Sequence, residues 1–526
     1  MSKQVDAIIE ETVEQLKPLF VSYAQAVWQA AITGTEEANK REEELQATLM
    51  RFWANPERYA GARRLHEEGA ATEPLQARQV KLIYLSAAKA QQNEETIQKL
   101  TRLEAGVRQK YYNFRGRVDG QELTDNQLDE ILKTSKDGAQ VRKAWEASKQ
   151  VGVEVAEQVR ELARVRNAAA KAQGYRDHFK KSLTLDEIDE DELMQLFDLL
   201  DRATRAPFQA LKAELDRERA AHFGIAQAEL RPWHYGDRFF QTEPEMGEVN
   251  LDAIFAGKDP VKHATATYDG LGMEVRDILE RSDLYARSGK NQHAFCMNID
   301  REGDVRTLNN LESNHYWNET LLHELGHGVY DKYIDRSLPW LLREPPHTLS
   351  TEAIALMMGS LTYDQEWLVK VAGAPASEAE RLSRVGKERE RAARLIFTRW
   401  CLVMTHFEKA MYADPERDLD ALWWDLVEKY QRLRRPEGRR APDWAAKYHV
   451  ALAPVYYQNY ELGYLATAQL QDRIHKAAGG MVGRKKAGKW LIEKVFRSGA
   501  SQDWMAHVAT ATGEALNPKY FVDTIS

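Results

Sequence analysis

Cysteine is nearly absent from this chain. Two in 526 residues, Cys296 and Cys401, cannot build a disulfide framework. One bridge is the most they could form, and two free thiols is the simpler expectation. A long apolar run is also missing. No stretch approaches the roughly 18 residues that a membrane helix requires, so no membrane partner is expected. The opening, "MSKQVDAIIEETVEQLKPLF", carries acidic residues where a signal peptide would be apolar, which predicts a cytoplasmic protein. Basic charge is not in excess either. Lys and Arg number 73 against 81 Asp and Glu, a net charge of −8, and nothing points to nucleic acid as a partner. Internal repeats and low-complexity tracts are lacking.

What remains is a chain that is 43% hydrophobic and 29% charged, ample for a large core. Helical periodicity dominates it. "EEANKREEELQATLMRFW", "DGAQVRKAWEASKQVGVEVAEQVRELARVRNAAAKAQ" and "EDELMQLFDLLDRATRAPFQALKAELDRERAAHF" place apolar residues three and four apart between charged faces. Gly174 and Gly224 stand where the last two should stop. From about Arg231 to Asn310 turn residues and aromatics increase. There "HAFCMNID" and "VRTLNN", joined through "REGD", read as a short β-hairpin. The stretch 432–444, rich in arginine and with two prolines, reads as a connecting loop rather than an anion-binding patch. The predicted class is mainly α with a small sheet near the centre.

The string "HELGH" at 323–327 carries the chemistry. On a helix, residues i and i+4 share a face, so His323 and His327 can direct imidazole nitrogens at one ion. Glu324, one residue on, lies beside that ion, near enough to act on a water as a base without being a ligand. A catalytic zinc site has three protein ligands and an open position. Glu352, in "HTLSTEAIALMMGS", is the candidate third ligand, with 24 residues between it and His327. That interval holds the end of the first helix, a loop at Pro345 and Pro346, and the start of a second helix. Thr348 or Ser350 would cap the second helix, with Glu352 in its first turn. One zinc ion per chain is the predicted cofactor. An ordinary helix whose histidines only satisfy local hydrogen bonds is the bland alternative. A closed structural zinc site would need a fourth Cys or His, and none is clearly offered nearby.

With these residues in view, the chain resembles gluzincin peptidases of the angiotensin-converting-enzyme type and the related thimet oligopeptidase and oligoendopeptidase group. The likeness extends to "AWEASKQVGVEVAEQVRELARVRNAAAKAQGYRDH", "LWWDLVEKYQ", "SGASQDWMAHVATATGEALNPKYF" and, on the oligopeptidase side, "GKNQHAFCMNID". It implies one catalytic domain over residues 1–526. Two helical subdomains would form an ellipsoid divided by a deep cleft, with the zinc and substrate strand at about 285–365 and a second patch at about 445–465. In "AAKYHVALAPVYYQNYELGYL" the resemblance makes His449 a donor to the substrate backbone and Tyr460 a donor to the oxyanion. Tyr456 and Tyr457 are its register neighbours, because the interval from His449 to Tyr460 is one residue longer than in the converting enzymes. Lys447 and Tyr457 match a pair that grips a substrate's C-terminal carboxylate. The hairpin strand would pair with an extended peptide, giving Cys296 and Asn298 as substrate contacts.

Some positions depart from the converting enzymes. Asn459 replaces the arginine that serves chloride activation, which weakens the case for chloride. Tyr235 stands for a carboxylate-binding glutamine, Leu356 for an aspartate behind the metal, and Phe295 for a strand histidine. The implied activity is zinc-dependent hydrolysis of short oligopeptides releasing C-terminal dipeptides. The alternatives are an oligoendopeptidase cutting internal bonds and a non-catalytic zinc-containing peptide-binding protein. Oligomeric state is left open.

Overall fold

The computed structural model describes residues 2–244 and 251–525. Helices dominate, and the described residues form two sheets, each a two-stranded antiparallel hairpin. The three periodic stretches are helices Glu36–Trp53, Gly138–Ala172 and Glu190–Phe223. Gly224 closes the last at φ +64, and Gly174 follows the second at φ +87, conformations that favour residues without a Cβ. Among the described residues no helix is long and apolar enough to cross a membrane. Both cysteines are free thiols. The chain divides into two compact units.

The first unit comprises Met1–Gln91, Val249–Lys387 and Leu462–Tyr520. Its central hairpin pairs Phe295–Asn298 with Val305–Leu308, Phe295 opposite Leu308 and Asn298 opposite Val305. Ile299 and Leu308 of this region pack with Ala24 and Trp28 of helix Ser2–Thr33. The Gly-Lys that precedes the hairpin is structural. A Cβ at Gly289, where φ is +82, would meet the Thr33 carbonyl oxygen at 2.6 Å, so only glycine lets the loop lie against that helix end. The buried Lys290 ammonium is enclosed by oxygens. Its Nζ donates to the carbonyls of Tyr285 (2.9 Å), Asp283 (3.1 Å) and Asn309, and pairs with the Asp283 carboxylate at 2.8 Å. A buried charge is tolerable only with such partners.

The second unit comprises Gln92–Glu248, Glu388–Glu461 and Phe521–Ser526. Its sequence signatures are joints. Asn167 donates to the Tyr412 carbonyl (2.7 Å) and accepts from the His178 amide (2.9 Å), while Asp177 caps helix His178–Leu185. Gln431 ends helix Leu419–Gln431 and donates to the carbonyls of Phe239 (2.9 Å) and Phe240 (2.7 Å). Stretch 432–444 is a loop for most of its length. Two of its arginines are tied down, Arg439 to Asp443 and Arg435 to Asp425 and Glu428.

Candidate metal centre

Helix His315–Lys332 begins where Asn314 turns extended and its side chain accepts from the Trp317 amide at 2.9 Å. Leu321, Leu322, Leu325 and Val329 bury one side of it, which fixes how far His323 and His327 turn inward. The partner helix is Thr348–Gly359. Its cap is neither Thr348 nor Ser350 but His347, whose Nδ1 accepts from the Leu349 amide at 3.1 Å. His347 is extended at φ −159 and ψ 156, so its ring reaches forward over the first turn. Glu352 is therefore the fifth helical residue and opens the second turn rather than lying in the first, so the helix dipole favours it less.

The two helices cross closely at Gly326. A Cβ there would lie 2.9 Å from Ala355 Cα and 3.3 Å from Met358 Cγ. The glycine inside the five-residue string thus lets the glutamate helix approach. Sequence reading overlooked it, because a helical glycine looks like a defect until its neighbour is known.

Across that crossing His323 Nε2 lies 3.8 Å from Glu352 Oε1, and His327 Nε2 lies 3.5 Å from Oε2. One ligand atom from each of the three residues falls within 4.8 Å of the others, a set that can hold a metal ion. Among the described residues it is the one such cluster of three or more His, Cys, Asp or Glu side chains.

The surrounding field favours a cation. Burial lowers His323 to about 4, against the pull of the Glu352 charge, so its imidazole is neutral at pH 7 and its lone pair is free. Burial would also lower His327, but its hydrogen bond to Glu352 and the charges of Glu352, Glu324 and Asp331 outweigh it and raise it. Glu352 is held below its usual value: burial opposes ionisation, and the His327 hydrogen bond and both imidazoles overcome that. Two imidazoles and a carboxylate in a pocket that otherwise retains a proton fit a divalent ion such as zinc. Glu324 is 7% exposed, and burial pushes it up to about 7, with His327 lowering and Glu352 raising it.

Behind the cluster, Thr351 Oγ1 lies 2.8 Å from His327 Nδ1. Leu356 cannot supply the carboxylate that the sequence comparison looked for there, and the hydroxyl beside Glu352 occupies that role instead. Thr351→Val, which keeps shape and removes the hydroxyl, is expected to weaken zinc binding by roughly 10–100-fold. Chelator competition would measure it.

Cys296 and Asn298 lie on the hairpin strand of the same unit. Burial, then the charges of Asp331 and Glu324, push the Cys296 thiol well above its usual range, so it is no nucleophile at neutral pH. Asn298 Oδ1 accepts from the Arg301 amide at 2.9 Å within the hairpin turn, and its side chain also bonds Asp331 on helix His315–Lys332.

The remaining candidates lie in the second unit. His449 is in the short helix Tyr448–Leu452, its ring 4.9 Å from that of Tyr457, and Tyr457 is 5.4 Å from Tyr460. Burial, then Lys447, lower His449 to about 4, and its Nδ1 is buried without a hydrogen-bond partner. Lys447 is buried rather than on the surface, and its Nζ donates to Gln241 Oε1 at 2.7 Å. Sequence reading missed Gln241. Tyr235, which stands in the glutamine's aligned place, is locked between Asp216 (2.6 Å) and Lys212 (2.8 Å). The "FFQ" that follows carries the amide to Lys447.

The sequence model of Peptidase family M3 matches residues 276–526, and that of Angiotensin-converting enzyme matches residues 1–227. The first span holds the three clustered side chains. The two matches together make the chain similar to the gluzincin metallopeptidases. It is related to the thimet oligopeptidase group through the first match and to the converting enzymes through the second. A Bacillus subtilis (strain 168) protein named Carboxypeptidase 1 is 23% identical over 272 residues, covering 46% of this chain and 53% of that protein. The chain therefore spans about half the length of this curated relative.

Proposed function

We propose that the chain is a cytoplasmic zinc peptidase that hydrolyses short oligopeptides and releases C-terminal dipeptides. The observation that carries this is the convergence of His323, His327 and Glu352 with a buried carboxylate, Glu324, next in sequence to the first ligand. Zinc bound there supplies Lewis acidity, which acidifies a water and polarises the scissile carbonyl. Glu324, buried next in sequence to His323, is placed for proton transfer. It takes the proton of the attacking water and passes it to the departing amide nitrogen, so a free carboxylate and a free amine result. His449, neutral at pH 7, and Tyr460 donate hydrogen bonds to the carbonyl oxygen as it gains charge.

Lys447, Gln241 and Tyr457 bind the substrate's C-terminal carboxylate in this reading. Burial lowers the Lys447 amine to about 8 against the Asp237 charge, while Arg238 adds to the lowering. The amine is charged below that value and loses its proton as pH rises through it. KM for peptides with a free C-terminus is therefore expected to rise about fivefold from pH 8 to pH 9, since the charged fraction falls by that factor. Amidated peptides should show no such rise. Steady-state kinetics across pH decides it. Mass spectrometry of products from a mixed peptide pool, with and without chelator, tests the whole reading. Dipeptides lost from free C-termini support it, internal cuts in amidated peptides favour an oligoendopeptidase, and chelator-resistant or absent cleavage refutes it.

A further inference from the structure

Between His449 and Tyr457 the chain bends through Ala453, Pro454, Val455 and Tyr456. Val455 sits at φ +55, in the left-handed region that a β-branched side chain strongly disfavours. Such a residue persists only where its surroundings over-determine it. Here they do. Glu408, 1% exposed on helix Ala376–Ala413, accepts from the Val455 amide at 2.7 Å. Arg166, 6% exposed on helix Gly138–Ala172, donates to the Ala451 carbonyl at 2.8 Å. Arg166 is itself held by Glu104 at 2.8 Å and by the Tyr412 hydroxyl at 3.4 Å. Gln458 Nε2 closes the turn on the Val455 carbonyl at 2.6 Å.

We propose that Glu408 and Arg166 are positioning residues for the reaction: from two helices they hold the two ends of the 451–455 bend and so fix His449 relative to Tyr457 and Tyr460. This rests on the roles given above to His449 and Tyr460. Each side chain meets a backbone group that an apolar filling would leave without a partner, so both are committed to this one bend. Glu408 acts by reach rather than by charge. Burial pushes it up to about 8, with the Val455 amide and Arg166 lowering it, so it is mostly protonated at neutral pH and still accepts through its carbonyl oxygen.

The test compares Glu408→Gln, which keeps reach and cannot ionise, with Glu408→Asp, which keeps the carboxyl group and loses reach. Each is assayed with an internally quenched peptide for kcat and KM, together with zinc content and thermal unfolding. His449→Ala is run alongside. Expected is a fall in kcat for Glu408→Asp on the order of tenfold to 10²-fold, as for a misplaced catalytic group. KM and zinc content should be unchanged, and Glu408→Gln should stay close to wild type. Adding Val455→Gly to Glu408→Asp should recover part of the loss, because glycine needs no help at φ +55. Wild-type kcat in Glu408→Asp, or equal losses in both variants, overturns the proposal. If His449→Ala also turns over normally, the role given to His449 has failed as well; if it alone is slow, only the clamp is wrong.

Discussion

Glu324→Gln is expected to leave zinc binding intact and to lower kcat by about 10²–10⁴-fold. Glutamine has the same shape, so it fills the site beside His327 and disturbs neither imidazole. It cannot accept and return a proton, which is the task assigned to this side chain. The buried position sharpens the case. A carboxylate raised to about 7 is costly to keep ionised, and that cost is sensible only where the charge has work to do. The sign also gives a stability result. A carboxylate whose folded value is raised favours the folded state at low pH and loses that contribution as pH rises through about 7. In the chelated protein, glutamine should therefore raise the melting temperature above pH 7, while in the zinc-loaded protein turnover is lost. Metal analysis, kinetics and thermal unfolding on one preparation check all three.

Glu352→Ala is expected to abolish turnover by removing the metal. Two neutral imidazoles one helical turn apart hold zinc weakly. The carboxylate from the second helix supplies the third ligand and the charge that holds His327 in its present state. Ligand binding to the folded state stabilises it by about 2.7 kcal/mol when the ligand is at 100 times its dissociation constant. Wild type should gain about that much on zinc addition. Glu352→Ala should gain nothing measurable at the same concentration, and its zinc content should fall well below one ion per chain. A variant that keeps stoichiometric zinc would show that another side chain is the third ligand.

The periodic helices, the hairpin and the histidine pair of the His-His-Glu cluster could be read from the sequence because each depends on local pattern: 3.6-residue spacing, a turn signal, and a five-residue string on one helix face. Features that depend on two distant segments meeting could not. Gly326 looks like a weak helix residue until Ala355 is seen against it. His347 supplanted the two hydroxyl residues as cap because its ring could reach the Leu349 amide, which no cap preference predicts. Thr351 became the partner of His327 by standing next to Glu352 on the helix that the glycine admits. Gln241 was hidden by a register choice: the tyrosine in the expected place is bound to Asp216 and Lys212, and the amide comes from six residues later. Lys447 was matched to a carboxylate-gripping pair through the resemblance, and its burial is a property of the fold rather than of its neighbours in sequence.

The central claim is that one divalent ion is shared by His323, His327 and Glu352 with a position left for water. Zinc-edge X-ray absorption on the purified wild-type protein tests it most directly. The account predicts about four light scatterers at roughly 2.0–2.2 Å, two of them imidazoles, and no sulfur. A sulfur shell near 2.3 Å, a third imidazole, or a protein that takes up no zinc would contradict it.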